Sequence, residues 1–79
     1  MTIKAYVLVV TNPGQTKNVF DALRKIGGVI EVHEVMGPYD IVVEIDVPAL
    51  VDVPPILSNQ IRTIPGIQST TSLVSFPDA

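Results

Sequence analysis

Seventy-nine residues with no cysteine make one small domain, without disulfides or thiolate metal sites to reinforce it. Five basic residues face eight acidic ones, and only Arg24 and Lys25 are adjacent, so the clustered phosphate contacts of a nucleic-acid binder are excluded. No apolar run approaches the roughly 20 residues of a membrane span, and the first, Ala5 to Val10, runs into an Asn12-Pro13-Gly14 turn rather than a cleavage site. A cytoplasmic location is expected.

Ile3–Thr11 is rich in valine and free of breakers, which reads as a buried strand. From about Gln15 to Ile26 the apolar residues Val19, Phe20, Leu23 and Ile26 share one helical face, with Lys17, Asp21, Arg24 and Lys25 on the other. Gly27-Gly28 stops this helix. Val29–Met36 reads as a strand, Gly37-Pro38-Tyr39-Asp40 as a turn and Ile41–Val47 as the second arm of a hairpin. Prolines 48, 54 and 55 each remove a backbone donor, and a second helix is expected to start near Pro54 or Pro55. Ile56, Leu57, Ile61 and Ile64 supply its apolar face. Pro65-Gly66 ends it, Ile67–Phe76 is the last strand and Pro77-Asp78-Ala79 a short tail.

The order β-α-β-β-α-β predicts an α+β, ferredoxin-like domain with a four-stranded antiparallel sheet and two helices on one face. An internal repeat supports it: Leu23–Val29 resembles Ile61–Ile67, and the same offset pairs Ile3 with Ile41, Val7 with Ile45 and Val9 with Val47. In the third strand Ile41, Val43, Ile45 and Val47 share one face, and Val42, Glu44 and Asp46 the other. The first strand is apolar on both faces, Ala5, Val7 and Val9 against Tyr6, Leu8 and Val10. A strand apolar on both sides expects cover on both. With 47% hydrophobic residues in so short a chain, the second cover is expected from another subunit's sheet.

Catalytic chemistry has few residues to work with. His33 is the single histidine, and Glu31 shares its strand face, a pair suited to weak metal binding or acid–base work and equally to a half-exposed strand position. The glycines lack phosphate-loop spacing. Glu31, Glu34, Asp40, Glu44 and Asp46 gather near the hairpin, where they read as solvating charges unless several oxygens converge on a cation. No cofactor is expected.

Gly37-x-Tyr39-Asp40 followed by an apolar strand, and Pro65-Gly66-Ile67 followed by Ser69-Thr70-Thr71-Ser72-Leu73-Val74, are the most specific motifs of the chain. Their order and spacing, over roughly residues 3–76, resemble the effector-binding domain of the Lrp/AsnC family, also called the RAM (regulation of amino acid metabolism) domain. The resemblance implies dimers formed by sheet-on-sheet packing, larger rings that are often octamers, and a free amino acid bound where dimers meet. It further implies that Gly37, Tyr39 and Asp40 stand beside the effector cleft, and that Thr70 and Ser72 contact the effector from the last strand. The chemistry suits such a ligand: Asp40 can pair with an ammonium, while hydroxyls and backbone N–H groups hold a carboxylate.

Members of that family usually carry an N-terminal helix-turn-helix domain that reads DNA, whereas this chain begins at the first strand of the effector domain. It is therefore expected to be a single-domain, non-enzymatic version, acting as a homo-oligomer or alongside a DNA-binding relative. Competing readings are an ACT-like amino-acid-binding domain, a ligand-free assembly partner, and a small dimeric enzyme using His33 with Glu31 or Asp40.

Overall fold

The computed structural model describes residues 2–76, and the tail at 77–79 lies outside them. Strands β1 (Ile3–Thr11), β2 (Val29–Glu34), β3 (Ile41–Val47) and β4 (Ile67–Val74) form one antiparallel sheet in the order β2-β3-β1-β4. The first strand of each βαβ half thus lies at the centre. Helix α1 (Thr16–Leu23) and a second helical segment, Val53–Ile61, cover one face. This is the predicted ferredoxin-like α+β architecture.

Alternation builds the core. The register sets Ala5 beside Ile45, Val7 beside Val43 and Val9 beside Ile41, so the odd-numbered residues of both central strands share a face. All six are wholly buried, under Val19 and Leu23 of α1 and Val53, Ile56 and Ile61 of the second helix. The even-numbered face is different. Tyr6, Leu8, Val10, Val42, Glu44 and Asp46 are only half-buried, and Leu73 on β4, in register with Tyr6, is 51% exposed. No element among the described residues covers it.

The central strands have the predicted bounds, and the helices depart from theirs. Helix α1 stops at Leu23 rather than Ile26, because Lys25 and Ile26 donate to Ala22 and Leu23, three residues back, at 3.2 and 3.3 Å. That tighter winding delivers the chain to Gly28, whose φ of 94° a side chain would disfavour. After β3, Leu50–Asp52 forms one 3₁₀ turn, with the Asp52 carboxylate accepting from the Ala49 N–H. Helix α2 then starts at Val53, with Pro54 and Pro55 in its donor-poor first turn, and runs over Val53–Pro55. It continues over Ile56–Ile61 as a π-helix, and the Arg62 N–H reaches back five residues to the Leu57 carbonyl at 3.0 Å. The outer strands end early, β2 at Glu34 and β4 at Val74. Among the described residues no helix is long and apolar enough to cross a membrane.

The internal repeat has a structural meaning at two glycines. Gly28 and its counterpart Gly66 both take positive φ, 94° and 99°. A Cβ on Gly28 would lie 3.1 Å from Ile56 Cδ1, against the second helix. One on Gly66 would lie 2.8 Å from Gln15 Cβ and 3.1 Å from Val19 Cγ2, against α1. Gly66 also accepts the Asn12 N–H at 2.8 Å, which pins the start of β4 to the end of β1. Each half therefore closes on the other half's helix through a residue without a side chain. Gly66→Ala should lose about 3 kcal/mol in urea unfolding, from strain and overpacking together. Gly27→Ala, where φ is ordinary and a Cβ would meet open space, should stay within about 0.5 kcal/mol of the parent.

Candidate functional site

The end of the sheet where β1 finishes and β3 begins carries a hydrogen-bonded polar group built around Asp40. Asp40 enters β3 with its N–H on the Val9 carbonyl at 2.8 Å and its carbonyl accepting the Val35 N–H at 3.0 Å, which closes the hairpin. Its carboxylate oxygen Oδ2 accepts the Thr11 N–H at 2.8 Å and the Thr11 hydroxyl at 3.3 Å. Thr11 Oγ1 lies 2.6 Å from Thr16 Oγ1. A hydroxyl has one proton, so with Thr11 donating to the carboxylate, Thr16 donates to Thr11. The chain Thr16 to Thr11 to Asp40 fixes the carboxylate from the first residue of α1, and Thr11 is itself buried. Asp40 Oδ1 accepts no hydrogen bond among the described residues. One oxygen is held and the other is free.

The other sequence-predicted residues flank this group without closing a single cavity on it. Gly37 sits exposed at the hairpin tip with φ of 137°, and Tyr39 is half-buried beside it. Thr70 and Ser72 pair with Val9 and Val7, so both point to the helix-covered side of β4. Thr70 is two strand positions across from Ile41, roughly 9.6 Å at ordinary sheet spacing. It lines an open depression of about 330 Å³ together with Arg62, Ile67, Gln68 and Ser69. The Ser72 hydroxyl is buried and has no partner among the described residues, as is the case for Asp46 Oδ1. Asp40 and Thr70 stand out in the motifs of the sequence, whereas Thr11, Thr16 and Arg62 do not. Thr11 and Thr16 stand 29 and 24 positions from Asp40 in the chain (40 − 11 and 40 − 16), and the signal available was only two threonines bracketing a turn.

His33 and Glu31 do pair, Nε2 to Oε1 at 2.9 Å, but with side chains 60% and 56% exposed on the uncovered face of the sheet. Glu31 stands directly across from Glu44. The site is a flat, solvated strand surface rather than a closed pocket that would position a substrate. No group of three or more His, Asp or Glu side chains converges in metal-binding geometry among the described residues.

The fold defines a small α+β domain of the ferredoxin-like class. The family model described as the Lrp/AsnC ligand binding domain matches residues 4–77. The chain belongs to this family of transcription-regulator domains, which sets it apart from the ACT-like alternative. It is 37% identical over 75 residues to an uncharacterized HTH-type transcriptional regulator of Pyrococcus furiosus, covering 91% of this chain and 50% of that one. The chain thus spans half the length of that regulator. A hypothetical protein of Pyrococcus horikoshii superposes with a TM-score of 0.88 at 29% identity, over 96% of this chain and 92% of its own. The fold is also that of a Neisseria meningitidis transcriptional regulator solved in complex with L-Met, with a TM-score of 0.84 at 14% identity over 96% of this chain and 51% of that one.

Asp40→Ala should destabilise the domain by about 1–3 kcal/mol in urea unfolding, because the Thr11 N–H loses its acceptor. Asp40→Asn, which keeps an acceptor oxygen, should lose clearly less. Removal of the exposed His33 side chain by His33→Ala should leave the unfolding midpoint in place.

Proposed function

We propose that this chain is an effector-binding and assembly module that takes a free amino acid at the Asp40 end of the sheet and pairs with copies of itself. The module is not an enzyme and does not read DNA; it serves transcription regulation of amino-acid metabolism through what it binds and how it assembles. One observation carries the reading: in a chain of this ligand-binding family, Asp40 is fixed through one oxygen by Thr11 and keeps the other free. A carboxylate held in this way recognises an ammonium group without first giving up its own order. Gly37 and Tyr39 border it on the hairpin, and Thr70 and Ser72 are the polar positions of β4 on the same covered side of the sheet. The L-Met complex of the Neisseria regulator shows that the same fold accommodates an amino acid in another protein.

Assembly rests on the uncovered face. Tyr6, Leu8, Val10, Val42 and Leu73 form an apolar surface on the side of the sheet away from the helices. A second copy covers it sheet to sheet, and rings of such dimers bring the Asp40 ends together. The relation to an HTH-type regulator of twice the length makes co-assembly with a DNA-binding relative a second use of the same surface.

The test is thermal unfolding with each of the twenty amino acids, with static light scattering on the same samples. A ligand of the folded state at 100 times its dissociation constant adds about 2.7 kcal/mol of stability. One or a few amino acids should raise the transition in the parent and not in Asp40→Asn. The parent should scatter as a dimer or a larger ring, and Leu73→Glu should reduce it to a monomer. No response to any amino acid would overturn the effector reading, and a monomeric parent would overturn the assembly reading.

A further inference from the structure

The two backbone irregularities at the α2–β4 junction meet at one place. The π-helix of α2 leaves Arg62 about one residue short of where α-winding would carry it, a rotation of roughly 100° about the helix axis. Six residues on, β4 has a bulge: the register passes from Val10 opposite Ser69 to Thr11 opposite Ile67, leaving Gln68 with no partner on β1. Bulges of this kind re-aim side chains, and both they and π-turns recur at functional sites. The depression of about 330 Å³ lies between them and is lined by Arg62, Ile67, Gln68, Ser69 and Thr70.

The chemistry of that lining is one-sided. In a chain with eight acidic residues and a net charge of −3, the depression is lined by an arginine, a glutamine, a serine and a threonine beside Ile67, and by no acidic residue. Arg62 makes no ion pair among the described residues. The guanidinium is not occupied in capping its helix either, since the Thr63 hydroxyl takes the Asn59 and Gln60 carbonyls at 3.1 and 3.3 Å. Arg24, by contrast, stacks on Phe20 at 5.7 Å. Because β4 is an edge strand, alternate backbone N–H groups on its outer side have no partner strand. Donors of this kind without a single fixed negative charge select an anion, and a guanidinium fork matches a carboxylate through two parallel hydrogen bonds.

We infer that Arg62, with Gln68, Ser69 and Thr70, forms a carboxylate-binding subsite that holds the α-carboxylate of the amino-acid effector. The inference rests on the effector reading above and adds an anion-binding residue that stands outside the hairpin motif. It divides recognition between the two edges of β1's end, with Asp40 on the β3 side and Arg62 on the β4 side.

The probes are the twenty free amino acids and, for those that bind, their α-amides, titrated calorimetrically into the parent, Arg62→Gln and Arg62→Lys. Arg62 is exposed, so the variants should fold, which their unfolding midpoints check. The parent should prefer acid over amide by about 10- to 100-fold, the worth of a charge-assisted hydrogen-bonded contact. Arg62→Gln should erase that preference while still binding the amide, and Arg62→Lys should restore part of it. An acid-over-amide preference unchanged in Arg62→Gln would overturn the subsite and leave the effector reading intact. If no amino acid binds the parent, the effector reading fails by itself. Acetate and succinate are then the probes: binding lost in Arg62→Gln supports the subsite, and no binding to the parent overturns it.

Discussion

The β1–β3 register governs everything else in this domain. With Val7 set beside Val43, six alternate residues of two adjacent strands go under the helices together, and the intervening six go to the other side. A slip of one residue would exchange the two sets and put Glu44 and Asp46 into the core. The pairing is therefore held by the cost of burying charge as well as by the gain from burying valine and isoleucine. Its by-product is a second face that is too apolar for a solvent surface and too polar for a core. That mixture suits the interface between copies proposed above.

The same register brings the polar site into being. Asp40 is the first residue beyond the pairing of Ile41 with Val9, and its carboxylate turns back to the last residue of β1. Thr16 reaches the same point because α1 begins there, after a turn held by the Gln15 N–H on the Asn12 carbonyl. Three elements thus end at one carboxylate, and Gly66 fastens a fourth alongside through Asn12. The groups around Asp40 therefore have positions set by the main-chain framework rather than by side-chain chance, as the proposed ligand site would need.

Sequence pattern revealed the parts of this picture that depend on neighbours along the chain. The central strands were legible to the residue because uninterrupted β-branched runs between turn signals leave little choice. The end of α1 was not, since Ile26 continues the apolar period while the backbone has already tightened toward Gly28. The shape of the second helix was also hidden. Prolines announce where it can start, but nothing in Ile56–Ile61 announces a wider winding. Asp40 was conspicuous in its motif, yet its fastening to Thr11 and Thr16 is a product of strand pairing. Arg62 carries no signal of its own in the sequence, since a basic residue at a helix C-terminus is ordinary.

The reciprocal glycine contacts limit how this domain could transmit a message. At Gly28 against the second helix and Gly66 against α1, the turn itself contributes no side chain to stand between the layers. With the helices seated directly on the turns, a protomer has little internal play. In the proposed module, an occupied site would then be reported outward as a change in how whole copies sit against one another, a rigid-body code written in the geometry of their packing.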